Sequence, residues 1–337
     1  MEKVAFINGG TFIYWSSIVL TIAVIAAIAC FAAIYLWKSK NGMALSLTVP
    51  VAILLSVAIA RWVHWYCLTD SYESLAKAMT DYTWGGYALM GAFIGCLLTA
   101  CFMRLICVSK NLPEMLDCMC LAGGVGIAVG RLSSLFNASD RGQIVADTVG
   151  LPFAYPVTNA VSGVAENRLA TFMLQSISTG VIVALLLLYV ITFVLRKKKL
   201  RDGDVTLLFL LLYGTCQIIL DSTRYDSLFM RSNGFISIVQ ILGLVAVLVA
   251  IITFSVRAVM ARGFQWYFAA LWLLQLAVMG GAGYMEYYVQ RHGDQAAFAY
   301  RNMGICLAVM VLITLIERAI AVSAEWKKAK TDIKNTL

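Results

Sequence analysis

Arg131 is the residue of this chain whose surroundings point most directly to chemistry. It lies in a Gly-rich apolar stretch, AGGVGIAVGRLSSLFN, at residues 122–137. An arginine at the centre of a membrane-spanning helix costs roughly 2.5–3.5 kcal/mol, so it usually faces a cavity, a partner or an anionic ligand. No acidic residue lies within one helical turn of Arg131, so its partner must come from elsewhere. The pattern favours an anionic lipid headgroup as the ligand.

Other polar residues recur near the predicted outer ends of neighbouring helices. Arg61 and His64 are three residues apart and share a helix face, as do Arg131 and Ser134. The remaining members of this set are Asn137, Gln217, Asp221, Arg224, Ser237 and Gln240. Since all of these residues are expected at one depth in the membrane, they predict a hydrated cavity that opens to the outer leaflet.

Several of these residues also have a purely structural interpretation. Asp221 and Arg224 can pair with each other at a helix interface, and Arg61 can extend to the headgroups. His64 titrates near neutral pH, but a single histidine near a helix end also serves as a hydrogen-bonding residue. The residues alone leave both interpretations open.

The composition requires helices that cross a membrane. The chain has 337 residues, of which 61% are hydrophobic and 13% charged, and its mean hydropathy is +0.83. Apolar runs of about 18 residues or more recur along its whole length, which excludes a soluble domain. The sequence therefore predicts an all-α, polytopic integral membrane protein. Nine scattered cysteines and two histidines argue against a metal centre, and no metal or cofactor is expected.

We predict nine membrane spans of about 20 residues, the length that the hydrocarbon core demands. They cover residues 11–37, 45–66, 87–108, 116–136, 169–195, 205–220, 236–256, 265–284 and 303–320.

The basic residues predict the orientation of these spans. Most of them, including the run at 196–199 and the tail after Glu325, fall on one side. The positive-inside rule then places the N-terminus outside and the C-terminus in the cytoplasm. The longest outer loop, residues 138–168, directly follows Arg131. The first ten residues lack the features of a removed signal peptide.

Five sequence blocks, in order, carry a family resemblance. WGGYALMGAFIG (84–95) is similar to N-G-G-M-S-F-H-G-G-L-I-G, and GRLSSLFN (130–137) to G-R-I-G-N-F-I-N. RLATFMLQSISTG (168–180) is similar to R-H-P-x-Q-L-Y-E, and LYGTCQIILDSTR (212–224) to G-Y-G-x-x-R-F-x-x-E-F-F-R. SIVQILG (237–243) is similar to S-M-G-Q-I-L-S. Together the blocks resemble the prolipoprotein diacylglyceryl transferase family.

The resemblance implies a location, an activity and a domain plan. It covers roughly residues 15–262 and implies transfer of a diacylglyceryl group from phosphatidylglycerol to a prolipoprotein in the bacterial cell (inner) membrane. The acceptor implied is the lipobox cysteine thiol of the prolipoprotein signal peptide. Residues 1–262 would form a seven-helix transferase-like body, residues 263–325 an added C-terminal hairpin, and residues 326–337 a basic cytoplasmic tail.

The chain is a divergent member by this comparison. The family's histidine falls on Met90, its signature asparagine on Ser134, and the first arginine of the fourth block on Gln217. Its two glutamates fall on Gln175 and Asp221.

The resemblance and the polar pattern together assign candidate roles. The candidate headgroup-binding residues are Arg131, Arg224, Asn137, Gln217, Gln240 and Arg61. His64 and Asp221 are candidate general bases in place of the missing histidine.

Two alternative functions stay open at this level. One is a non-catalytic relative that binds a lipid or lipoprotein, and the other is a transferase with a different acceptor. A transporter is disfavoured, because the spans show neither an inverted repeat nor a pair of broken midplane helices.

Overall fold

Helices make up almost all of the structure, a computed structural model that describes residues 3–80, 86–145, 153–158, 163–196, 200–230 and 233–336. The helices are α1 (Trp15–Ser39), α2 (Gly42–Cys67), α3 (Leu75–Thr80), α4 (Leu89–Leu105), α5 (Leu112–Gly130), α6 (Thr171–Leu195), α7 (Asp204–Ser222), α8 (Ile238–Arg262), α9 (Trp266–Arg291) and α10 (Ala296–Thr336). The strands are β1 (Val4–Asn8), β2 (Thr11–Tyr14), β3 (Ala154–Thr158), β4 (Ala165–Leu169), β5 (Phe229–Met230) and β6 (Asn233–Ser237). Consecutive strands pair as three antiparallel hairpins, β1–β2, β3–β4 and β5–β6.

The predicted all-α, polytopic fold class is confirmed. Among the described residues, eight helices are long and apolar enough to cross a membrane. The third predicted span, residues 87–108, corresponds to α4, which has 17 residues and is shorter than the others. The nine predicted spans therefore appear as eight long helices and one short apolar helix.

The chain divides into two compact units. The first contains Met1–Phe209 and Leu220–Leu242, and the second contains Leu210–Ile219 and Gly243–Leu337. The boundaries between these units fall within α7 and α8. The domain boundary placed at residue 262 therefore stays a prediction.

Parts of three predicted features lie outside the described residues. These are Trp84 and Gly85 of the first motif block, residues 197–199 of the basic run, and residues 146–152 and 159–162 of the outer loop.

In the first unit, two glycines of α4 allow its close approach to α2. A Cβ at Gly91 would lie 2.5 Å from the Cα of Ala60, and a Cβ at Gly95 would lie 2.5 Å from the Cα of Ser56. The hydroxyl of Ser56 also donates to the carbonyl of Ala92 at 3.2 Å. Small residues permit such backbone contact between helices in lipid, where packing replaces the hydrophobic effect.

A buried carboxylate joins α5 to the start of α7. Asp117 accepts the backbone N–H of Gly203 at 2.9 Å, and the backbone N–H and hydroxyl of Thr206 at 2.8 and 2.7 Å. Lys38 of α1 lies 3.9 Å away. A carboxylate is favourable at a helix N-terminus, because it satisfies free N–H groups and the helix dipole there. Asp117 therefore fixes α7 against α5 at the end opposite Arg131.

At the other end of the same helices, the segment 140–145 ties three helix ends together. The N–H of Gly142 donates to the carbonyl of Leu169 at 2.7 Å, just before α6, and the N–H of Gln143 to that of Thr223 at 3.0 Å, just after α7. A Cβ at Gly142 would lie 2.5 Å from the Thr171 hydroxyl, so only glycine allows this approach. The segment therefore brings the ends of α5, α6 and α7 to one place.

The second unit has its own buried polar contacts. The Gln275 amide of α9 donates to the Thr314 hydroxyl of α10 at 3.0 Å, and Ser255 of α8 donates to Glu317 of α10 at 2.6 Å. Such bonds between helices satisfy polar groups that lipid cannot. Helix α10 continues to Thr336, so the basic tail extends the last span as a helix, because alanine and lysine are good helix formers.

The close approach of α2 and α4 predicts the effect of Gly95→Ala. The added Cβ meets backbone of α2, which cannot yield by a rotamer change, so we expect the free energy of unfolding to fall by about 1–3 kcal/mol. Gly123→Ala is the matched control in α5, because nothing lies within 4 Å of its Cβ position. That variant should be neutral or stabilising by about 0.5–1 kcal/mol. Thermal unfolding in detergent compares the two, and equal stabilities would contradict the expected helix contact.

Candidate functional site

Arg131 lies at the end of α5 and not at the centre of a span. It begins a short 3₁₀ turn, Arg131–Leu135, that closes the helix. Its Nη1 lies 2.6 Å from Oδ1 of Asp140, in the segment after the turn. This is the distant acidic partner that the sequence required. Since Arg131 is paired at the helix end, the insertion cost of an unpaired mid-span arginine does not apply.

The Asp140 carboxylate is the centre of the site. Its Oδ1 also accepts Nη2 of Arg224 at 2.8 Å, and its Oδ2 accepts the Ser134 hydroxyl at 2.9 Å. The backbone N–H of Asp140 donates to Oδ2 of Asp226 at 2.8 Å. One carboxylate thus joins arginines that lie far apart in the sequence.

This environment keeps Asp140 ionised. Burial by itself would raise the pKa of Asp140, but the guanidinium groups of Arg131 and Arg224 and the hydroxyl of Ser134 outweigh it. They hold the pKa well below its ordinary value of about 3.9. Asp140 is therefore a fixed negative charge and not a proton acceptor.

Arg224 has every guanidinium nitrogen paired with a carboxylate. Its Nη2 binds Asp140, its Nε binds Asp226 at 3.0 Å, and its Nη1 binds Asp221 at 3.3 Å. Burial would lower the pKa of Arg224, but these three carboxylates raise it above its ordinary value. The Asp221–Arg224 pair expected from their spacing is present as part of a larger network.

Asp221 connects this network to the start of α8. It is 1% exposed and accepts the hydroxyl of Ser237. The backbone N–H of Ser237 donates to Oε1 of Gln240 at 3.0 Å, and the N–H of Gln240 donates back to the Ser237 hydroxyl at 3.1 Å. This reciprocal pair caps α8 and connects Gln240 to Asp221 through the Ser237 hydroxyl.

Arg131 differs from Arg224 in its remaining donors. Within the described residues, its hydrogen-bond partner is Asp140 alone, through Nη1. Its side chain is 13% exposed. Its Nε and Nη2 therefore stay available to an incoming acceptor, while those of Arg224 are engaged.

Arg61 and His64 belong to a second polar cluster of the first unit. Arg61 is 1% exposed and donates to the carbonyls of Ala78 at 2.6 Å and Gly86 at 2.8 Å. His64 Nδ1 lies 2.9 Å from the Tyr72 hydroxyl. The Arg61 guanidinium therefore binds the backbone of Ala78 and Gly86, and its proposed headgroup contact stays a prediction.

The last two candidates have different surroundings. The Asn137 side chain accepts the N–H and hydroxyl of Ser139 at 3.0 and 2.6 Å, which shapes the turn before Asp140. Gln217 is buried and belongs to the second unit. The hydrated cavity, like the headgroup roles, stays a prediction.

Sequence reasoning missed three residues of the network, namely Asp140, Asp226 and Arg141. The sequence contained one sign of them, because Arg131 has no acidic residue within a helical turn and a charge in this position needs a partner. Asp140 and Arg141 follow Arg131 within the same outer loop. The described residues contain no group of three or more His, Cys, Asp or Glu side chains arranged to hold a metal ion.

Comparison with known families gives a match over most of this chain. The family model described as prolipoprotein diacylglyceryl transferase matches residues 3–256, about three quarters of the chain. This chain belongs to that family. The match includes both arginines that meet at Asp140 and ends before α9.

Relatives in this family are similar over most of their own length. The chain is 27% identical over 256 residues to a protein of Finegoldia magna, which covers 75% of this chain and 94% of the relative. It is 25% identical over 227 residues to one of Bacillus licheniformis, which covers 65% and 77%. A protein of Clostridium kluyveri is 23% identical over 251 residues, covering 74% and 94%. Each relative is named phosphatidylglycerol–prolipoprotein diacylglyceryl transferase.

Two of the divergent motif positions are enclosed by the first unit. Met90, where the resemblance placed the family's histidine, is 6% exposed, and Gln175, where it placed a glutamate, is 0% exposed. Neither side chain accepts a proton at neutral pH. Neither position therefore offers a general base in this member of the diacylglyceryl transferase family.

The bridging role of Asp140 predicts a large effect of Asp140→Asn. The change removes the charge between two partly buried guanidinium groups, and breaking such a pair costs about 3–5 kcal/mol. Asp226→Asn is the matched control, because Asp226 also binds Arg224 but is more exposed, at 26%. We expect a loss of at most about 1 kcal/mol there. Thermal unfolding at pH 7 measures both, and equal losses would contradict the central position of Asp140.

The pH dependence of this effect has a definite sign. The folded pKa of Asp140 is depressed, so its contribution is fully present above the unfolded value of about 3.9. It is lost only as the pH falls through the lower folded value. The stability difference between wild type and Asp140→Asn should therefore be constant from about pH 5 to 8 and narrow below about pH 4. A difference that disappeared near pH 6 would contradict this.

Proposed function

We propose that this protein transfers the diacylglyceryl group of phosphatidylglycerol to a cysteine thiol of a prolipoprotein and releases glycerol phosphate. Family membership and the names of the relatives support this activity. The observation that carries it in this chain is Arg131. Its guanidinium is held by one carboxylate, and its other donors are available to an anion.

The reaction requires an anion-binding group at the phosphate. The bond that breaks joins the glyceryl carbon to a phosphate oxygen, and its electron pair stays on the leaving glycerol phosphate. The thiolate sulfur forms the new bond to that carbon. A guanidinium matches phosphate oxygens in geometry and charge, so it binds the phosphodiester and stabilises the charge on the leaving group. Arg131 supplies this guanidinium, and Asp140 and Arg224 fix its position.

The acceptor thiol must lose its proton before it attacks. A thiol has an ordinary pKa of about 8.5, so a general base accelerates the step. His64 is one candidate, held by the Tyr72 hydroxyl. Asp221 is the second, because one of its oxygens faces Ser237 and the other Arg224. The thiol proton would go to one of these two groups.

The substrates imply a location and an orientation for the site. Phosphatidylglycerol is an anionic membrane lipid, and the acceptor would be the lipobox cysteine of a signal peptide. The positive-inside pattern supports an outer N-terminus and a cytoplasmic C-terminus. The Arg131 site would then face the outer side of a bacterial cell membrane, where exported prolipoproteins arrive.

One observation favours an alternative function. The buried Met90 stands where the resemblance placed the histidine, which supports a lipid-binding relative without transferase activity or a transferase with a different acceptor. These alternatives keep the requirement for Arg131 but predict no thioether on a prolipoprotein.

Complementation tests the proposed activity. We expect this chain to restore a diacylglyceryl thioether on a reporter lipoprotein in a strain depleted of its own transferase, measured by mass spectrometry. Arg131→Ala should lower the rate by about 10²–10³-fold, as loss of a charge-stabilising donor does. Arg301→Ala is the matched control, because Arg301 is an exposed arginine of α10, and it should retain wild-type activity.

Two outcomes would contradict the proposal. A wild-type chain that reaches the membrane but yields no thioether would favour the lipid-binding or altered-acceptor function. An Arg131→Ala variant with full activity would remove the residue on which the proposed site depends.

Removal of both candidate bases tests the proton step. The double variant His64→Ala/Asp221→Asn should lose about 10²–10⁴-fold in rate at neutral pH. The single variants show which residue acts. Tyr72→Phe is the control for His64, since it removes the hydrogen bond but keeps the imidazole. A double variant that folds and keeps full activity excludes both residues as the base.

A further inference from the structure

Arg141 has guanidinium N–H groups that nothing in the described part of the chain accepts. The residue is 1% exposed. Its Nη2 donates to the carbonyls of Ser134 at 2.6 Å and Asn137 at 2.7 Å. Its Nε and Nη1 are buried and have no hydrogen-bond partner among the described residues. Buried donors of a charged group are rarely left unpaired, because they lose water and gain nothing in return.

Two aromatic rings pack against this guanidinium but do not accept its free N–H groups. Its Cζ lies 4.2 Å from the ring centre of Tyr155 and 4.5 Å from that of Phe172. The Tyr155 hydroxyl donates to the carbonyl of Leu135 at 3.2 Å, which fixes that ring. The ring faces attract the positive charge, but they do not accept the N–H groups in the guanidinium plane. The side chain is therefore rigid and still short of acceptors.

Arg141 belongs to the same charge network as Arg131. The carbonyl of Ser134 accepts Arg141, while the hydroxyl of Ser134 donates to the Asp140 carboxylate that binds Arg131. Burial lowers the pKa of Arg141, and the nearby Tyr155, Asp140 and Asp226 act in the opposite direction. The unpaired donors of Arg141 thus lie within electrostatic reach of the site's carboxylates.

The three arginines of the network divide into two kinds. Arg224 has all its nitrogens paired with carboxylates, so it is suited to hold the site together. Arg131 and Arg141 each keep two nitrogens without a partner in the described chain. A phosphate group presents several oxygens at once and can therefore accept from two guanidinium groups.

We propose that Arg141 is a second phosphate-binding arginine of this site and donates through Nε and Nη1 to oxygens of the anionic group held at Arg131. The inference rests on the proposed function for its substrate. The phosphodiester of the lipid and the released glycerol phosphate share this chemistry. Since Arg141 is 1% exposed, the phosphate reaches it only when residues that cover it shift.

Lipid binding to the full-length purified protein tests the inference without any transfer reaction. Native mass spectrometry in detergent measures the retention of phosphatidylglycerol against the zwitterionic phosphatidylcholine. We expect Arg141→Gln to weaken phosphatidylglycerol binding by about 10–100-fold, as loss of charge-assisted hydrogen bonds implies. Binding of phosphatidylcholine should not change. A folded Arg141→Gln variant with wild-type selectivity would overturn the proposal, as would an equal loss of both lipids.

Two further variants separate phosphate binding from a structural role. Arg141→Lys keeps the charge and a donor for the carbonyls, so it should fold as the wild type does but lose most of the selectivity. Phe172→Leu is the matched control, because it removes an aromatic contact and keeps the guanidinium. It should lower the melting temperature and preserve the selectivity. Full selectivity in Arg141→Lys, or loss of selectivity in Phe172→Leu at a temperature where it is folded, would overturn the proposal.

Competition by free glycerol phosphate distinguishes the two sources of phosphate. Displacement of bound lipid that depends on Arg141 supports a contact with the released product. Dependence seen only for phosphatidylglycerol supports a contact with the lipid phosphodiester. If neither the displacement by glycerol phosphate nor the binding of phosphatidylglycerol depends on Arg141, the inference is overturned. Because the assay reads binding, a failure of the proposed transfer activity would appear separately, in the thioether assay.

Discussion

The structure at the ends of α5 and α7 depends on one carboxylate held between two arginines. Asp140 receives Arg131 from the end of α5 and Arg224 from the end of α7 on the same oxygen. Each of these charges would be costly to enclose alone, and only the complete set compensates the loss of water. The segment that carries Asp140 also pairs with the residues before α6 and after α7. The same short segment therefore forms both the ion pairs of the site and the junction of these helices.

The arginines of the network differ in how completely carboxylates pair with them. Arg224 is paired with three carboxylates, whereas Arg131 and Arg141 keep donors that the described chain does not use. A site that binds an anion and releases an anionic product must not bind either too tightly. Permanent carboxylates next to the arginines lower the net positive charge and so weaken the hold on the product. This arrangement suits turnover better than a cluster of unpaired arginines would.

The sequence predicted the helices well because each apolar run is long enough to decide its own structure. It also predicted that Arg131 needs a distant partner, and the Asp221–Arg224 pair follows from local spacing. Asp140 could not be identified as that partner, since its approach to Arg131 depends on a tight turn and on contacts with three helix ends. The partners of Arg61 could likewise not be identified from the sequence. Its helix face was evident, but its hydrogen bonds go to carbonyls of Ala78 and Gly86, which only the folded chain brings near.

Helix α5 is anchored near both of its ends by polar side chains. Near one end Asp117 holds the start of α7, and at the other Arg131 holds Asp140. These residues are 14 positions apart, about 21 Å along a helix at 1.5 Å per residue. With contacts so far apart, α5 can neither slide along its axis nor rotate without breaking the hydrogen bonds of Asp117 or the ion pair between Arg131 and Asp140. For the proposed reaction, we therefore expect the movement that admits a lipid to occur in the elements around α5, while α5 itself stays in place.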